Sequence, residues 1–153
     1  MKKYQIIYAD PPWKYNDPKG NDPALGGITY PTMDDEDIYK LPIENIVENN
    51  SVLFLWATMP KLKEALTTIE RWGFKYITCA FVWVKQNPNS DMRHPSFFQP
   101  TDKEAFNIYS GLGHWVNGNA ELCLLGKKGI PKRISKEIKQ IILDEFERKA
   151  VQV

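Results

Sequence analysis

Cysteine and histidine are scarce in this chain, with two of each in 153 residues. Cys79 and Cys123 stand alone in apolar, strand-like runs, without the paired spacing of a zinc site or a disulfide framework. They read as buried thiols in a reducing compartment, and neither sits where a reactive thiolate would form, which argues against chemistry through a covalent cysteine adduct. His94 and His114 are too far apart and too unaccompanied to argue for a metal, so no metal site is expected. Charge of one sign is also missing. Twenty Lys and Arg against 19 Asp and Glu leave a net +1, so any footprint for a polyanion must be local. No apolar run approaches the length of a membrane span, and the N-terminal Met-Lys-Lys-Tyr-Gln-Ile-Ile is too short for a secretory signal. The expectation is a cytoplasmic protein with no membrane contact. Internal repeats and low-complexity segments are absent, and the length suits one domain over residues 1–153.

What is present is concentrated in Ile6-Ile7-Tyr8-Ala9-Asp10-Pro11-Pro12-Trp13. An apolar run the length of a buried strand ends at a carboxylate and passes into two prolines and a tryptophan. The prolines fix φ and lack N–H groups, so the Asp10 and Pro11 carbonyls sit on a stiff segment with few local donors. An amino group held by the Asp10 carboxylate and the Pro11 carbonyl would have its lone pair directed away from both. Trp13 could stack on a flat ring carrying that amine.

Asp10-Pro11-Pro12-Trp13 resembles the motif of the S-adenosylmethionine-dependent adenine-N6 methyltransferases, whose eukaryotic members include the catalytic subunit of the messenger-RNA adenosine methyltransferase. The likeness continues in order through Tyr30-Pro-Thr-Met33, Ser51 to Thr58, Trp72-Gly-Phe74, Phe81 to Lys85, Gly111 to Trp115 and Asn119 to Leu125. It covers roughly residues 4 to 135 and looks most like the bacterial and phage branch. The resemblance implies an α/β fold: a Rossmann-like methyltransferase sheet in permuted order, with the catalytic motif first. It implies methyl transfer from S-adenosylmethionine to adenine N6 in nucleic acid, DNA before RNA. Asp10, Pro11, Pro12 and Trp13 would be catalytic, and Asp10 and Pro12 would also touch the cofactor. Tyr30, Trp83, Lys85, His114 and Asn119 would face the substrate, with Tyr30 and Trp13 sandwiching the base. Against relatives that methylate cytosine amino groups or protein amides, Trp13 stands where those usually carry Tyr or Phe.

Between these segments the pattern reads coarsely. Residues 14–29, rich in Gly, Pro, Asn and Asp, form either a functional lid or an ordinary surface loop. Thr32 looks like an N-cap, with Asp34 to Asp37 opposing the dipole of the helix that follows, and Pro42 closing it. Ser51 to Thr58 suits a strand covered on both faces in a parallel sheet. Leu62, Ala65, Leu66, Ile69 and Trp72 recur at helical spacing, with Pro60 before them and Gly73 after. Trp56 and Trp72 read as core. Phe74 to Lys85 reads as one or two strands and Ala120 to Leu125 as another. Residues 86–113 are irregular, and Phe97 and Phe98 beside Arg93 and Lys85 suit either nucleotide stacking or a hydrophobic flap. Lys127, Lys128, Lys132, Arg133 and Lys136 make the clearest local basic cluster, either phosphate-facing or solvated. Ile134, Ile138, Ile141, Ile142 and Phe146 share a helical face, so the spacing predicts a terminal helix, although relatives have a strand near Ile138 to Leu143.

One departure from the family matters. Relatives continue with segments that build much of the cofactor pocket, whereas this chain reads Glu145-Phe-Glu-Arg-Lys-Ala150 there and stops at Val153. Ala120 also stands where the human catalytic subunit has a lysine. The expectation is a C-terminally short domain, active alone or completed by a homo- or hetero-oligomeric partner. The rival reading is a non-catalytic nucleic-acid-binding or assembly subunit, or a truncated relic, although such partner subunits usually lose Asp-Pro-Pro-Trp.

Overall fold

The computed structural model describes residues 2–15, 30–87, 108–109, 111 and 115–145. Five strands form one sheet: β1 (Tyr4–Ala9), β2 (Val47–Thr58), β3 (Lys75–Gln86), β4 (Ala120–Lys128) and β5 (Ile141–Glu145), in the order β1-β2-β4-β3-β5. β1 runs parallel to β2 and β5 parallel to β3, while β4 is antiparallel to both of its neighbours. The sheet is therefore mixed, correcting the purely parallel reading of Ser51 to Thr58. A continuous apolar run does not distinguish parallel from antiparallel pairing.

Burial along β2 alternates. Ser51, Leu53, Leu55 and Ala57 are buried, while Val52, Phe54, Trp56 and Thr58 are only partly covered. Helix α2 (Leu62–Arg71) packs on the buried face of β2 and β3, and α1 (Asp35–Tyr39) packs on α2. Leu53, Leu55, Ala65, Ile69, Phe74 and Leu124 form the centre of the core between them. The other face carries an aromatic row, in which Tyr8 and Trp83 each meet Trp56 edge-on and Phe54 stacks on Phe81. Trp72 is core as expected, its indole N–H bonding the Ile38 carbonyl at 2.9 Å, but Trp56 belongs to this half-covered second face.

α2 ends as its sequence dictates. Gly73 takes φ +78, its N–H reaches the Glu70 carbonyl at 3.0 Å, and the Phe74 N–H reaches that of Ile69 at 3.0 Å. That is a Schellman closure, which glycine adopts without a Cβ penalty. The start of α1 differs from expectation, because Asp34, not Thr32, is its N-cap. Met33 is tied in an extended bridge to Trp13, its N–H bonding the Pro12 carbonyl at 2.9 Å, so the helix can begin only after it. Asp35 then pairs with the buried Lys61 at 2.9 Å, joining α1 to the start of α2.

The predicted terminal helix is overturned: residues 141–145 are strand β5. The edge of β3 offers an unpaired row of backbone groups, and Ile141 and Ile142 are β-branched residues suited to occupy it. Val82 N–H bonds the Gln140 carbonyl at 2.9 Å, and Gln140 Nε2 donates to the Cys79 carbonyl at 2.6 Å, fixing the strand's entry.

Candidate functional site

Strand directions bring an end of all five strands to one side of the sheet. β1 and β2 run toward it and end at Ala9 and Thr58, β4 starts there at Ala120, and β3 and β5 finish there. Thr58, Glu121 and Trp83 are paired neighbours across three strands, and Asp10 follows β1 directly.

The turn after Asp10 is held by its own prolines. The Trp13 N–H donates to the Pro11 carbonyl at 2.8 Å, an i to i+2 bond with Pro12 at its centre. That is the hydrogen bond of an inverse γ-turn, whose central φ is close to the value the pyrrolidine ring imposes. The Pro11 carbonyl is thus already engaged, which the sequence reading did not anticipate. A carbonyl oxygen has a second lone pair, so its acceptor capacity is halved, not lost.

Trp13 sits in the core, not at the surface. It is 3% exposed, and its indole N–H donates to the Trp56 carbonyl at 3.1 Å, tying the turn to β2. In this arrangement the ring braces the turn from inside and leaves no free face for stacking. Of the two rings expected to sandwich the base, Tyr30 is the one with an open face, 47% exposed. Tyr15 bonds Thr58 Oγ1 through its hydroxyl at 2.6 Å, and Lys14 pairs with Asp34 at 2.7 Å on the surface.

Asp10 itself lies exposed at the strand tip. Partial desolvation there, and next the Glu121 carboxylate, push its pKa above the ordinary value, while Lys85 pulls it back. Tyr30 is pushed up by desolvation, then by Asp10 and Glu121, and Tyr15 chiefly by desolvation. Asp10, Tyr15, Tyr30, Glu121 and Lys85 therefore share one electrostatic neighbourhood. Lys85 donates to Glu121 Oε1 with both side chains largely covered, and its ammonium lies 5.0 Å from the centre of the Trp83 ring. Its charge is already opposed, which leaves less of it for a substrate phosphate. The Asn119 carbonyl accepts the Lys85 backbone N–H at 2.9 Å, so Asn119 adjoins the same strand end with its side chain exposed.

Glu121 is the residue that sequence reasoning passed over. Along the chain it is simply part of the Ala120 to Leu125 strand, and only its registration beside Thr58 and Trp83 brings it to Asp10. A single carboxylate opening an otherwise apolar run was the available signal. His114, Arg93, His94, Phe97, Phe98 and the loop of residues 16–29 lie outside the described residues. Among the described residues no group of three or more His, Cys, Asp or Glu could hold a metal ion. Cys123 is buried and its thiol is pushed up to about 12, first by desolvation, then by Cys79 and Asp10, so it supplies no thiolate.

The strand tip thus presents an exposed carboxylate beside a proline-stiffened turn and aromatic rings. The chain belongs to the MT-A70 family, whose model matches residues 4–149. It is 34% identical over 104 residues to the type II methyltransferase M.MunI of Mycoplasma sp, covering 58% of this chain and 45% of that protein. It is 29% identical to a putative N(6)-adenosine-methyltransferase MT-A70-like protein of Medicago truncatula, over 86% of this chain and 17% of that one. The human N(6)-adenosine-methyltransferase catalytic subunit METTL3 is 27% identical over 86% of this chain and 18% of its own length. The chain thus spans less than half the length of these relatives. No helix among the described residues is long and apolar enough to cross a membrane.

Proposed function

We propose that this chain transfers a methyl group from S-adenosylmethionine to the exocyclic N6 amino group of adenine in nucleic acid, with DNA before RNA because its motifs resemble the bacterial and phage branch most. The observation that carries this reading is the exposed Asp10 carboxylate on the γ-turn centred at Pro12, with Glu121, Lys85 and Tyr30 around it. When ionised, a carboxylate only accepts hydrogen bonds, so Asp10 and the free lone pair of the Pro11 carbonyl suit the two N–H bonds of an aryl amine. Held so, the amine directs its own lone pair away from both acceptors. Catalysis would come from orientation and preorganised hydrogen bonding, with no covalent enzyme intermediate.

Pro12 fixes the turn, Trp13 anchors it to β2, and Tyr30 offers the face on which a base would stack. Adenine in a duplex would have to leave the helix to reach this tip. Trp83, Lys85 and Asn119 flank the place where it would sit, and His114 is proposed for the same side from the family resemblance alone. The family's cofactor supplies an activated methyl on a sulfonium cation. The chemistry of the strand tip fits that end of it, since the exposed Asp10 carboxylate would face a cation, while Glu121 is already opposed by Lys85. Asp10 and Pro12 would hold it. β1 is an edge strand among the described residues, so a second chain, of the same or another kind, would complete the pocket from that edge.

The test is transfer of radiolabelled methyl from S-adenosylmethionine to adenine-containing duplex DNA and to RNA. Label found at N6 of adenine and lost in Asp10→Asn supports the reading. Label on another base, or transfer unchanged in Asp10→Asn, refutes it.

A further inference from the structure

The basic cluster that begins at the end of β4 and continues beyond it takes no part in the site just described. Positions 127–139 hold six of the chain's 20 Lys and Arg (Lys127, Lys128, Lys132, Arg133, Lys136, Lys139) but only one of its 19 acids, Glu137. This segment carries +5, and the rest of the chain, with 14 basic against 18 acidic residues, carries −4. A polyanion would be repelled by most of the molecule and attracted here.

The segment is built as a strap. At one end the Ile130 N–H bonds Asn50 Oδ1 at 2.9 Å; at the other, Gln140 is bonded to Val82 and Cys79 of β3. Between these anchors it is neither helix nor strand, residues 132–140 are all exposed, and Ile134 is 103% exposed. None of its six cations forms an ion pair among the described residues, where the pairs are Lys14–Asp34, Lys61–Asp35 and Lys85–Glu121. At its root Lys127 is registered opposite Lys75 on β3. Like charges facing across strands are unfavourable, and an anion between them would relieve the repulsion.

We infer that this strap is a docking surface for the phosphate backbone of nucleic acid, set away from the reacting adenine. The inference rests on the proposed substrate class and adds where that substrate is gripped. Geometry gives its reach. The strap returns along β3 and enters β5, which ends at the Asp10 side of the sheet. β3 carries two register irregularities, so Lys75 to Lys85 lies alongside only Lys127 to Asn119 of the neighbouring segment, about 26 Å at ~3.3 Å per residue. A duplex touching both the Lys75–Lys127 end and the Asp10 tip would therefore need about eight base pairs at ~3.4 Å each.

The experiment is fluorescence anisotropy of the full chain with a labelled duplex of ~20 base pairs, from 50 to 200 mM salt. The comparison is a variant carrying Lys132→Ala, Arg133→Ala, Lys136→Ala and Lys139→Ala. Each phosphate contact contributes about −0.9 to the slope of log K against log salt, so four lost contacts make it shallower by about 3 to 4. The affinity gap between the two proteins should then shrink by roughly 100-fold over that salt range. The charge-preserving Lys132→Arg, Lys136→Arg, Lys139→Arg variant should bind like wild type, which separates lost charge from lost folding. Shortening the duplex below ~8 base pairs should weaken wild type more than the alanine variant. Equal slopes and affinities for wild type and the alanine variant would overturn the inference, as would strap-dependent binding to phosphatidylserine vesicles in preference to the duplex. Strap-dependent DNA binding without any methyl transfer would leave this inference standing and defeat the proposed function. Transfer with no strap dependence of binding would do the reverse.

Discussion

Asp10 is a residue at which chemistry and stability oppose each other. Its folded-state pKa is raised, so between the ordinary and the raised value the native chain binds more protons than the unfolded one. Stability therefore falls as pH rises through that window, and the full cost is present at neutral pH. Asp10→Asn is expected to melt at or above the wild-type temperature at pH 7 while methyl transfer drops by at least ~100-fold, the scale of one preorganised polar contact. Melting curves and single-turnover transfer on the same preparations check both halves. Transfer by wild type should also fail on acidification at a pH above the ordinary value for an aspartate. Trp13 makes the opposite prediction. Because it is buried and bonded to the Trp56 carbonyl, Trp13→Ala should cost about 3–5 kcal/mol of stability in urea denaturation, the range for large core truncations. Trp13→Phe, which keeps most of the ring and loses the N–H, should cost less. A stable Trp13→Ala chain with weakened nucleic-acid binding would return the ring to the substrate.

At the scale of elements, what could be read in advance was what local pattern decides. The apolar run before Asp10, the 3–4 spacing of α2 with Gly73 behind it, and the run at Ala120 each became the expected element. β5 did not, because Ile134, Ile138, Ile141 and Ile142 satisfy a helical spacing while a distant partner, the free edge of β3, determines the outcome. Glu121 escaped for the same reason: registration between strands, invisible along the chain, brings it beside Asp10. The burial of Trp13 was equally unreadable, since a four-residue motif does not say which way its ring turns. Two glycines show how an element's end can be tested. Gly73 and Gly129 both have positive φ, +78 and +65, so alanine at either is strained. At Gly73 a Cβ meets nothing within 4 Å, and Gly73→Ala should cost only the conformational penalty, about 1 kcal/mol. At Gly129 it would press into the Asn49 carbonyl and Asn50 Oδ1, the atom that anchors the strap. Gly129→Ala should cost at least ~2 kcal/mol, the conformational penalty plus displacement of that anchor. Chemical denaturation of the pair measures the difference.

For the whole molecule, the decisive fact is that the last long strand sits in the middle of the sheet. β4 pairs with β2 on one side and β3 on the other, so without it the sheet would separate into β1-β2 and β3-β5. Its partners lie tens of residues earlier in the chain, and such non-local pairing must pay loop-closure entropy before contacts reward it. Cooperative folding should therefore wait on β4. Once inserted, β4 carries Cys123 and Leu124, both essentially inaccessible, and burial pushes the Cys123 thiol up to about 12. Native-state hydrogen exchange should find the slowest amides in Leu122–Gly126, exchanging only by global unfolding, with β5 and the outer edge of β1 faster. Ellman's reagent should leave Cys123 unlabelled in the native chain at pH 8 and label it in guanidinium. Because Glu121 opens this same strand, the carboxylate beside Asp10 is mounted on the central strand, paired on both sides. If Leu122–Gly126 exchanged as fast as β5, the sheet would not be organised around β4, and the placement of Glu121 beside Asp10 would lose its support.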